Sequence, residues 1–284
     1  MSIWHVVLLA TLQGLTEFLP ISSSGHLALL ENLLGWTRDE GLQAAMLPFN
    51  AVLHFGTLLS IIAYFRADLL AMLMGKTISP GNLAQNDSER ICSCRADRSW
   101  LLLILAANIP TGIIGLMLER SGVAELATAS MLAVGSLLAL TGILLILSER
   151  MAKRSVGVGL CFWRAIFVGC IQGLAVLPGL SRSGATIAAG LMVGLEKDVA
   201  VRFAFLVSVP AVIAATMLEL RDLLPNAHIN ISHIIIGCTI AAIVGYAAIG
   251  IVVRAVNFGR FSWFAPYCFA VSVIVLALSY RSGG

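Results

Sequence analysis

Long apolar runs constrain this chain more than any other feature of its sequence. Six of them are almost free of charged residues: 48–65, 101–118, 130–147, 203–219, 232–253 and 262–279. A bilayer's hydrocarbon core is about 30 Å thick, and a helix of roughly 20 apolar residues crosses it. Only 12% of the residues are charged, against about 25% in a typical soluble domain. The sequence therefore predicts six full transmembrane helices.

Two further apolar regions, 3–35 and 165–195, are each interrupted by a polar stretch rich in Gly, Pro and Ser. Irregular backbone at membrane depth is tolerated only where it is buried in protein or lines a wet cavity. Each region is therefore predicted to be a re-entrant pair of half-helices. The predicted fold is an all-α polytopic membrane protein in a single domain, 1–284, with a cavity at the polar stretches.

Basic residues fall mostly on one side of the membrane when the six spans are followed along the chain. Thirteen Lys and Arg lie on one side and four on the other, and Arg182 lies inside the second re-entrant region. Because cytoplasmic loops carry the excess of Lys and Arg, both termini are expected outside the cytoplasm. The first re-entrant region then opens outward and the second inward, and the polar segment 76–98 is a cytoplasmic connector. A net charge of +3 is too small to indicate nucleic-acid binding.

The two re-entrant regions resemble each other in sequence. The residues QGL at 13–15 recur at 172–174, and SSSG at 22–25 recurs as SRSG at 181–184. Related segments that enter the membrane from opposite faces are typical of an inverted-topology repeat, whose functional site lies near the midplane. Each polar stretch is then half of one site. The repeat halves are expected at approximately 1–147 and 160–284.

The first polar stretch, QGLTEFLPISSSGH, carries groups that can act on a phosphate. Gln13 and Glu17 are four residues apart and share a helical face, and Pro20 ends that helix. The serines that follow either serve only as a cap for the next half-helix or supply a nucleophile. Glu17 can act as a base, orient His26 or hold a divalent cation. Because a charge at the bilayer centre costs at least about 2.5 kcal/mol, both side chains are expected to line a cavity.

The second polar stretch, QGLAVLPGLSRSGAT, offers an anion site. Arg182 is a planar, permanent cation suited to bidentate phosphate binding. The N-terminus of the next half-helix and nearby hydroxyls, from Ser181, Ser183 and Thr186, can complete the cradle. Alternatively, Arg182 only pairs with Glu17 and locks the two regions together.

Other polar residues within the predicted spans have two interpretations each. Asn50 and His54 lie one turn apart and either face the cavity or form a helix–helix hydrogen bond. Asn108 and Pro110 mark a kink or a packing contact.

At these residues the chain resembles the bacterial undecaprenyl pyrophosphate phosphatases, also called the bacitracin resistance protein family. The resemblance covers essentially the whole chain. Its two motifs run from Gln13 through Glu17 and Pro20 to His26, and as PGLSRSGAT from 178 to 186. It implies hydrolysis of undecaprenyl diphosphate to the monophosphate in the bacterial inner membrane, which recycles the lipid carrier for peptidoglycan and other envelope polymers.

The resemblance also implies roles for individual residues. A divalent cation, Mg²⁺ or Ca²⁺, is implied near Glu17. Gln13 stands where some members have a second Glu, and an amide is a weaker metal ligand, so a metal site with two carboxylates is not supported. The residues implied to be catalytic are Glu17, Ser23, His26 and Arg182. Those implied to bind substrate are Gln13, Ser22, Ser24, Gly25, Ser181, Ser183, Gly184 and Thr186.

Transport is the alternative function, because broken helices in inverted repeats also build secondary transporters. A carrier or flippase for a polyprenyl phosphate needs only binding groups, whereas this sequence also supplies a nucleophile candidate and a proton-transfer candidate. Hydrolysis is therefore favoured, with substrate arriving from the outer, periplasmic side. The sequence leaves open whether Ser23, His26 or water is the nucleophile, and whether the protein forms a homodimer.

Overall fold

Helices make up nearly all of the chain that a computed structural model describes, which is residues 2–34, 40–74, 98–155, 157–223 and 230–281. Within these ranges there is one 3-10 helix, Phe261–Phe264, and no extended strand. The predicted connector at 76–98 lies outside the described residues, apart from its last residue. The α-helices are α1 (Ile3–Phe18), α2 (Ser23–Leu33), α3 (Glu40–Tyr64), α4 (Arg66–Met74), α5 (Arg98–Arg120), α6 (Val123–Ala129), α7 (Met131–Ala152), α8 (Phe162–Leu174), α9 (Arg182–Met192), α10 (Lys197–Leu223), α11 (Ile231–Asn257) and α12 (Ala265–Arg281).

Several of the described helices are long and apolar enough to cross a membrane unaided. One predicted span, 48–65, is not a single straight helix. It covers the second half of α3, and there Phe49–Tyr64 meets Arg66–Met74 at a bend of 70°. This pair counts as a crossing only if both parts are taken as one span. The chain is therefore a multi-pass membrane protein, and its described part has five or six helices long and apolar enough to cross a membrane. The five unaided spans, which confirm five predictions, are Arg98–Arg120, Met131–Ala152, Lys197–Leu218, Ile231–Asn257 and Phe261–Tyr280.

The two interrupted regions each fold as two short helices separated by a break. After α1 ends at Phe18, Leu19 is extended (φ −62°, ψ 141°), because Pro20 disfavours helical backbone in the residue before it. In the second region Ser181 caps α9 by accepting a hydrogen bond from the backbone N–H of Gly184. The helix breaks predicted at both polar stretches are confirmed.

The first helix of each interrupted region packs against a long helix, α1 against α11 and α8 against α5. Glycines allow these backbones to approach closely. A Cβ on Gly14 would lie 2.8 Å from Ala241 O, and a Cβ on Gly169 would lie 2.1 Å from Ala107 O. Small residues at such crossings are typical of helix packing in membranes. The helices that lead into the two polar stretches are thereby fixed in position.

Helix α10 contacts both interrupted regions, because it packs against α9 and its Phe205 ring lies edge-on to Phe18 at the end of α1, with centroids 5.8 Å apart. Its Phe203 and Val207 side chains are fully buried in the largest hydrophobic cluster. Asn108 of α5 donates a side-chain hydrogen bond to Val207 O over 3.0 Å. The packing contact predicted for Asn108 is therefore confirmed, and α5 continues through Pro110 as one helix.

Candidate active site

The two interrupted regions meet at their polar stretches. Ser183 Oγ donates a hydrogen bond of 3.3 Å to the backbone oxygen of Leu19. A Cβ on Gly184 would lie 3.1 Å from Pro20 Cβ, so the backbone of α9 comes close to the proline that ends α1. Polar side chains from both regions therefore lie next to each other.

Glu17 is the centre of the polar group on the first region. Its side chain is only 9% exposed. Ser23, the first residue of α2, donates its hydroxyl to Glu17 Oε2 over 2.8 Å. Gln13 Nε2, one turn earlier on α1, donates to the same oxygen over 3.1 Å. A hydroxyl that donates to a buried carboxylate has the geometry of a nucleophile next to its general base.

Arg182 extends from the start of α9 towards the same carboxylate. Its guanidinium Nη2 lies 3.8 Å from Glu17 Oε1, which is too long for a hydrogen bond. The Arg182 side chain is 33% exposed. The two residues thus form a loose ion pair, and the guanidinium keeps donors that can bind an anion. This geometry favours the anion-site interpretation over a purely structural lock between the regions.

His54 of α3 is a member of this group, and the sequence left its position open. Its Nδ1 lies 3.8 Å from Glu17 Oε1 and 3.1 Å from Gln13 Nε2. The Glu17 carboxylate accepts hydrogen bonds and cannot donate them, so the NH₂ group of the Gln13 amide faces it. Gln13 Nε2 therefore donates to both Glu17 Oε2 and His54 Nδ1. Gln13 Oε1 is then a buried oxygen without a partner among the described residues. The only sequence signal for His54 was an imidazole inside an apolar span.

His26 points to a different partner from the one that sequence reasoning considered. Its Nδ1 donates to Ser22 O over 2.7 Å, and its Nε2 lies 2.7 Å from the hydroxyl of Tyr267 in α12. Both ring nitrogens are therefore engaged, and Glu17 does not orient the ring. Sequence analysis missed Tyr267, which is 241 positions from His26 and has no local motif around it.

The serines of the first stretch form a short hydrogen-bonded turn. Ser22 Oγ lies 3.3 Å from Ser24 Oγ and accepts from the backbone N–H of Gly25 over 3.4 Å. Ser22 has a φ of +67°, the one positive φ among non-glycine residues in the described part of the chain. Such backbone costs on the order of 1–3 kcal/mol and is concentrated at functional sites.

The second stretch repeats this arrangement. Ser181 Oγ lies 3.2 Å from Ser183 Oγ and accepts from Gly184 N over 3.1 Å. Thr186 Oγ1 donates to Arg182 O over 2.7 Å, so its hydroxyl proton is used within α9. Ser181 and Ser183 thus hold the turn from which Arg182 projects.

A pocket opens between α1, α3, α9 and α10 at the contact of Glu17 with Arg182. The pocket is small and partly open to its surroundings. One end is polar and the walls are apolar, which suits a charged group attached to a hydrocarbon chain. Its lining residues are Glu17, Phe18, Thr57, Ile61, Arg182, Ser183, Thr186, Ala204, Phe205, Ser208 and Val212.

The metal predicted at Glu17 has few protein ligands to bind it. Among the described residues, no group of three or more His, Cys, Asp or Glu side chains could hold a metal ion. Glu17 supplies one carboxylate, and Gln13, one turn earlier on α1, has a buried side-chain oxygen without a partner among the described residues. This donor set fits Mg²⁺, which commonly binds one or two carboxylates together with phosphate oxygens of a substrate.

The chain matches a known protein family over most of its length. The model of the family described as bacitracin resistance protein BacA matches residues 6–274. The chain belongs to this family. As a BacA family member it is 41% identical to the undecaprenyl-diphosphatase of Desulfosudis oleivorans, over 97% of this chain and 98% of that relative.

Other relatives of this BacA family member carry the same name. The undecaprenyl-diphosphatase of Desulfatibacillum aliphaticivorans is 37% identical over 97% of this chain and 98% of its own length. That of Methanobrevibacter smithii is 36% identical over 97% of both chains. Both polar stretches lie inside the region that matches the family.

Proposed function

We propose that this membrane protein hydrolyses undecaprenyl diphosphate to undecaprenyl phosphate and inorganic phosphate. The observation that carries the proposal is the 2.8 Å hydrogen bond from Ser23 to Glu17, with Arg182 on the other side of the carboxylate. The names of full-length relatives that are 36% and 41% identical support the substrate. The reaction returns the lipid carrier for peptidoglycan and other envelope polymers.

The contacts of Ser23 support it as the nucleophile. Glu17 takes the hydroxyl proton while Ser23 Oγ attacks the terminal phosphorus and the bond to the lipid phosphate breaks. Water then hydrolyses the serine phosphate. Arg182 donates to the phosphoryl oxygens, on which charge is concentrated in the transition state, and such electrostatic stabilisation is usually the largest contribution to phosphoryl transfer.

The pocket supports the binding of a lipid diphosphate. Its polar end at Glu17, Arg182 and Ser183 receives the diphosphate, and its walls at Phe18 and Phe205 receive the first part of the prenyl chain. Ser181, Ser183 and Gly184 shape the turn that presents Arg182, while Ser22, Ser24 and Gly25 shape the turn that presents Ser23.

A divalent cation, Mg²⁺ or Ca²⁺, is proposed to bind at Glu17. Glu17 and Gln13 Oε1 would hold it together with oxygens of the diphosphate. When bound, the cation would neutralise part of the diphosphate charge. Residues of the chain carry out the other steps. Glu17 takes the Ser23 hydroxyl proton, Arg182 binds the phosphoryl group and Ser23 forms the bond to phosphorus.

The finer topology is also proposed: six spans and two re-entrant pairs in an inverted repeat, with the site open to the periplasmic side of the plasma membrane. The matching serine turns in the two interrupted regions support the repeat. The excess of basic residues on one side supports the orientation. An inhibitor that cannot cross membranes should block the reaction in oriented vesicles only when added from the periplasmic side.

The proposed function is tested by phosphate release from a polyprenyl diphosphate, with purified protein in detergent. Release should stop on chelation of divalent cations and return with Mg²⁺ or Ca²⁺. The variants Arg182→Ala and Glu17→Ala should be inactive. Arg260→Ala is the matched control, because the Arg260 guanidinium lies 4.6 Å from the centre of the Trp263 ring, away from this site. Folded protein that binds the lipid but releases no phosphate would refute hydrolysis and favour a carrier.

A further inference from the structure

One imidazole in the polar group at Glu17 has no role in the proposed hydrolysis. His54 Nδ1 lies 3.8 Å from Glu17 Oε1 and 3.1 Å from Gln13 Nε2, and the His54 side chain is 23% exposed. His54 shares a face of α3 with Thr57 and Ile61, both of which line the pocket. The imidazole therefore lies at the edge of the pocket, beside the carboxylate.

The Gln13 amide joins the imidazole to the carboxylate, and only one end of it is used. Its Nε2 donates to Glu17 Oε2 and to His54 Nδ1, each over 3.1 Å. Gln13 is 1% exposed, and its Oε1 is buried without a partner among the described residues. A buried polar atom without a partner is costly. A half-turn of the amide about its terminal bond would exchange the two ends and would break no hydrogen bond of Oε1.

This half-turn would bring three donor atoms together without a hydrogen between them. His54 Nδ1 accepts from Gln13, so the hydrogen of the neutral ring is on Nε2 and Nδ1 has a lone pair. After the half-turn, Gln13 Oε1 takes the place of the NH₂ group that now occupies that lone pair. Three acceptors then face one another: Gln13 Oε1, His54 Nδ1 and Glu17 Oε1. Acceptors that converge in this way favour a cation between them.

The distances between these atoms suit a single ion. With metal–ligand bonds of about 2.1 Å, one ion can contact two atoms that are up to about 4.2 Å apart. The separation of His54 Nδ1 from Glu17 Oε1 is 3.8 Å, and that of His54 Nδ1 from the near end of the Gln13 amide is 3.1 Å. Both values are within this limit.

We propose that His54 Nδ1 is a ligand of the divalent cation, together with Glu17 Oε1 and the rotated Gln13 Oε1. The proposal rests on the part of the proposed function that places a cation at Glu17. Imidazole nitrogen and carboxylate oxygen are both common metal ligands in proteins. Glu17 Oε2 keeps its 2.8 Å hydrogen bond from Ser23, so cation binding does not displace the nucleophile from its base.

The charge of the group indicates that substrate completes the site. Glu17 Oε1 also lies 3.8 Å from Arg182 Nη2, and these opposite charges leave little net negative charge to attract a cation. Oxygens of a diphosphate would add negative charge and further ligands, as substrate phosphates commonly do for Mg²⁺. The cation should therefore bind tightly only when a diphosphate is present.

The test measures Mn²⁺ binding to full-length protein in detergent, with methylenediphosphonate as a diphosphate that cannot be hydrolysed. Mn²⁺ is paramagnetic and takes the same kinds of oxygen ligand as Mg²⁺. Pulsed electron paramagnetic resonance should detect a nitrogen bound to Mn²⁺, and the coupling should change when histidine is labelled with nitrogen-15. His54→Gln should abolish this coupling and raise the Kd of Mn²⁺ at least about 10-fold, because loss of even an outer-shell partner of a metal costs 10- to 100-fold. His233→Gln on α11 is the control and should change neither result.

The wild-type protein alone can refute the proposal. Mn²⁺ bound without a histidine nitrogen, or no Mn²⁺ bound, would overturn it even if the protein is an active phosphatase. A coupling that persists in His54→Gln would also overturn it, and His54→Asn replaces that variant if it does not fold. A coupling lost with His54 in a protein without phosphatase activity would instead refute the proposed function and leave the three ligands established.

Discussion

Replacement of Gly169 by Ala tests the packing that places the second polar stretch. The added Cβ would lie 2.1 Å from Ala107 O, a backbone atom that cannot rotate away. A carbon–oxygen contact needs about 3.3 Å, so α5 and α8 must separate by roughly 1 Å. Thr111 Oγ1 would also lose good geometry in its 2.8 Å hydrogen bond to Gly169 O.

The expected cost of Gly169→Ala is at least about 3 kcal/mol, because overpacking typically costs 1–3 kcal/mol even where side chains can adjust. Since α8 leads to the turn that carries Arg182, a shift of 1 Å should also lower kcat about 100-fold. Gly112→Ala on α5 is the matched control, because a Cβ there meets no atom within 4 Å. It should leave activity unchanged and stabilise the helix by up to about 1 kcal/mol.

The assay is thermal unfolding in detergent, run beside phosphate release for both alanine variants. Gly169→Ala should unfold at a clearly lower temperature than wild type, and Gly112→Ala should not. If the two variants were equally stable, the close approach of α5 and α8 would not be a feature of the folded protein.

The other predictions concern the site itself. Ser23→Ala should lower kcat at least about 1,000-fold in phosphate release, whereas Ser136→Ala, an exposed serine on α7, should not; turnover near normal in Ser23→Ala would remove serine as the nucleophile. Arg182→Lys keeps the charge but loses the planar pair of donors, and should lower kcat/KM about 10- to 100-fold in the same assay; full activity would show that a point charge is enough. Ser22→Gly should relieve the φ of +67° and raise the unfolding free energy by up to about 1 kcal/mol, because glycine adopts this backbone without strain. A lower unfolding temperature in Ser22→Gly would contradict that strain.

Features set by neighbouring residues could be predicted from the sequence. The spacing of Gln13 and Glu17 predicted a shared face, and both side chains now contact one another at 3.1 Å. The break at Pro20 follows from the chemistry of proline alone. Five of the six spans predicted from length and hydrophobicity are found as single helices, because these properties decide whether a helix can cross a bilayer.

Features set by packing between distant segments could not be predicted. The sequence at the 70° bend between α3 and α4 contains no proline, so nothing in it indicates that the helix bends there. His54 and Tyr267 reach the two polar centres from α3 and α12, and nothing near them in the sequence specifies those contacts. The inverted repeat, the metal and the periplasmic access remain predictions.

The measurement that tests the account most directly is the stereochemistry of hydrolysis at the terminal phosphorus. The substrate is a polyprenyl diphosphate whose terminal thiophosphoryl group is made chiral with oxygen isotopes, hydrolysed in isotopically labelled water. Attack by Ser23 followed by attack of water inverts the phosphorus twice, so the account predicts net retention. Net inversion would show a single direct attack by water and would contradict the role assigned to the Ser23–Glu17 pair.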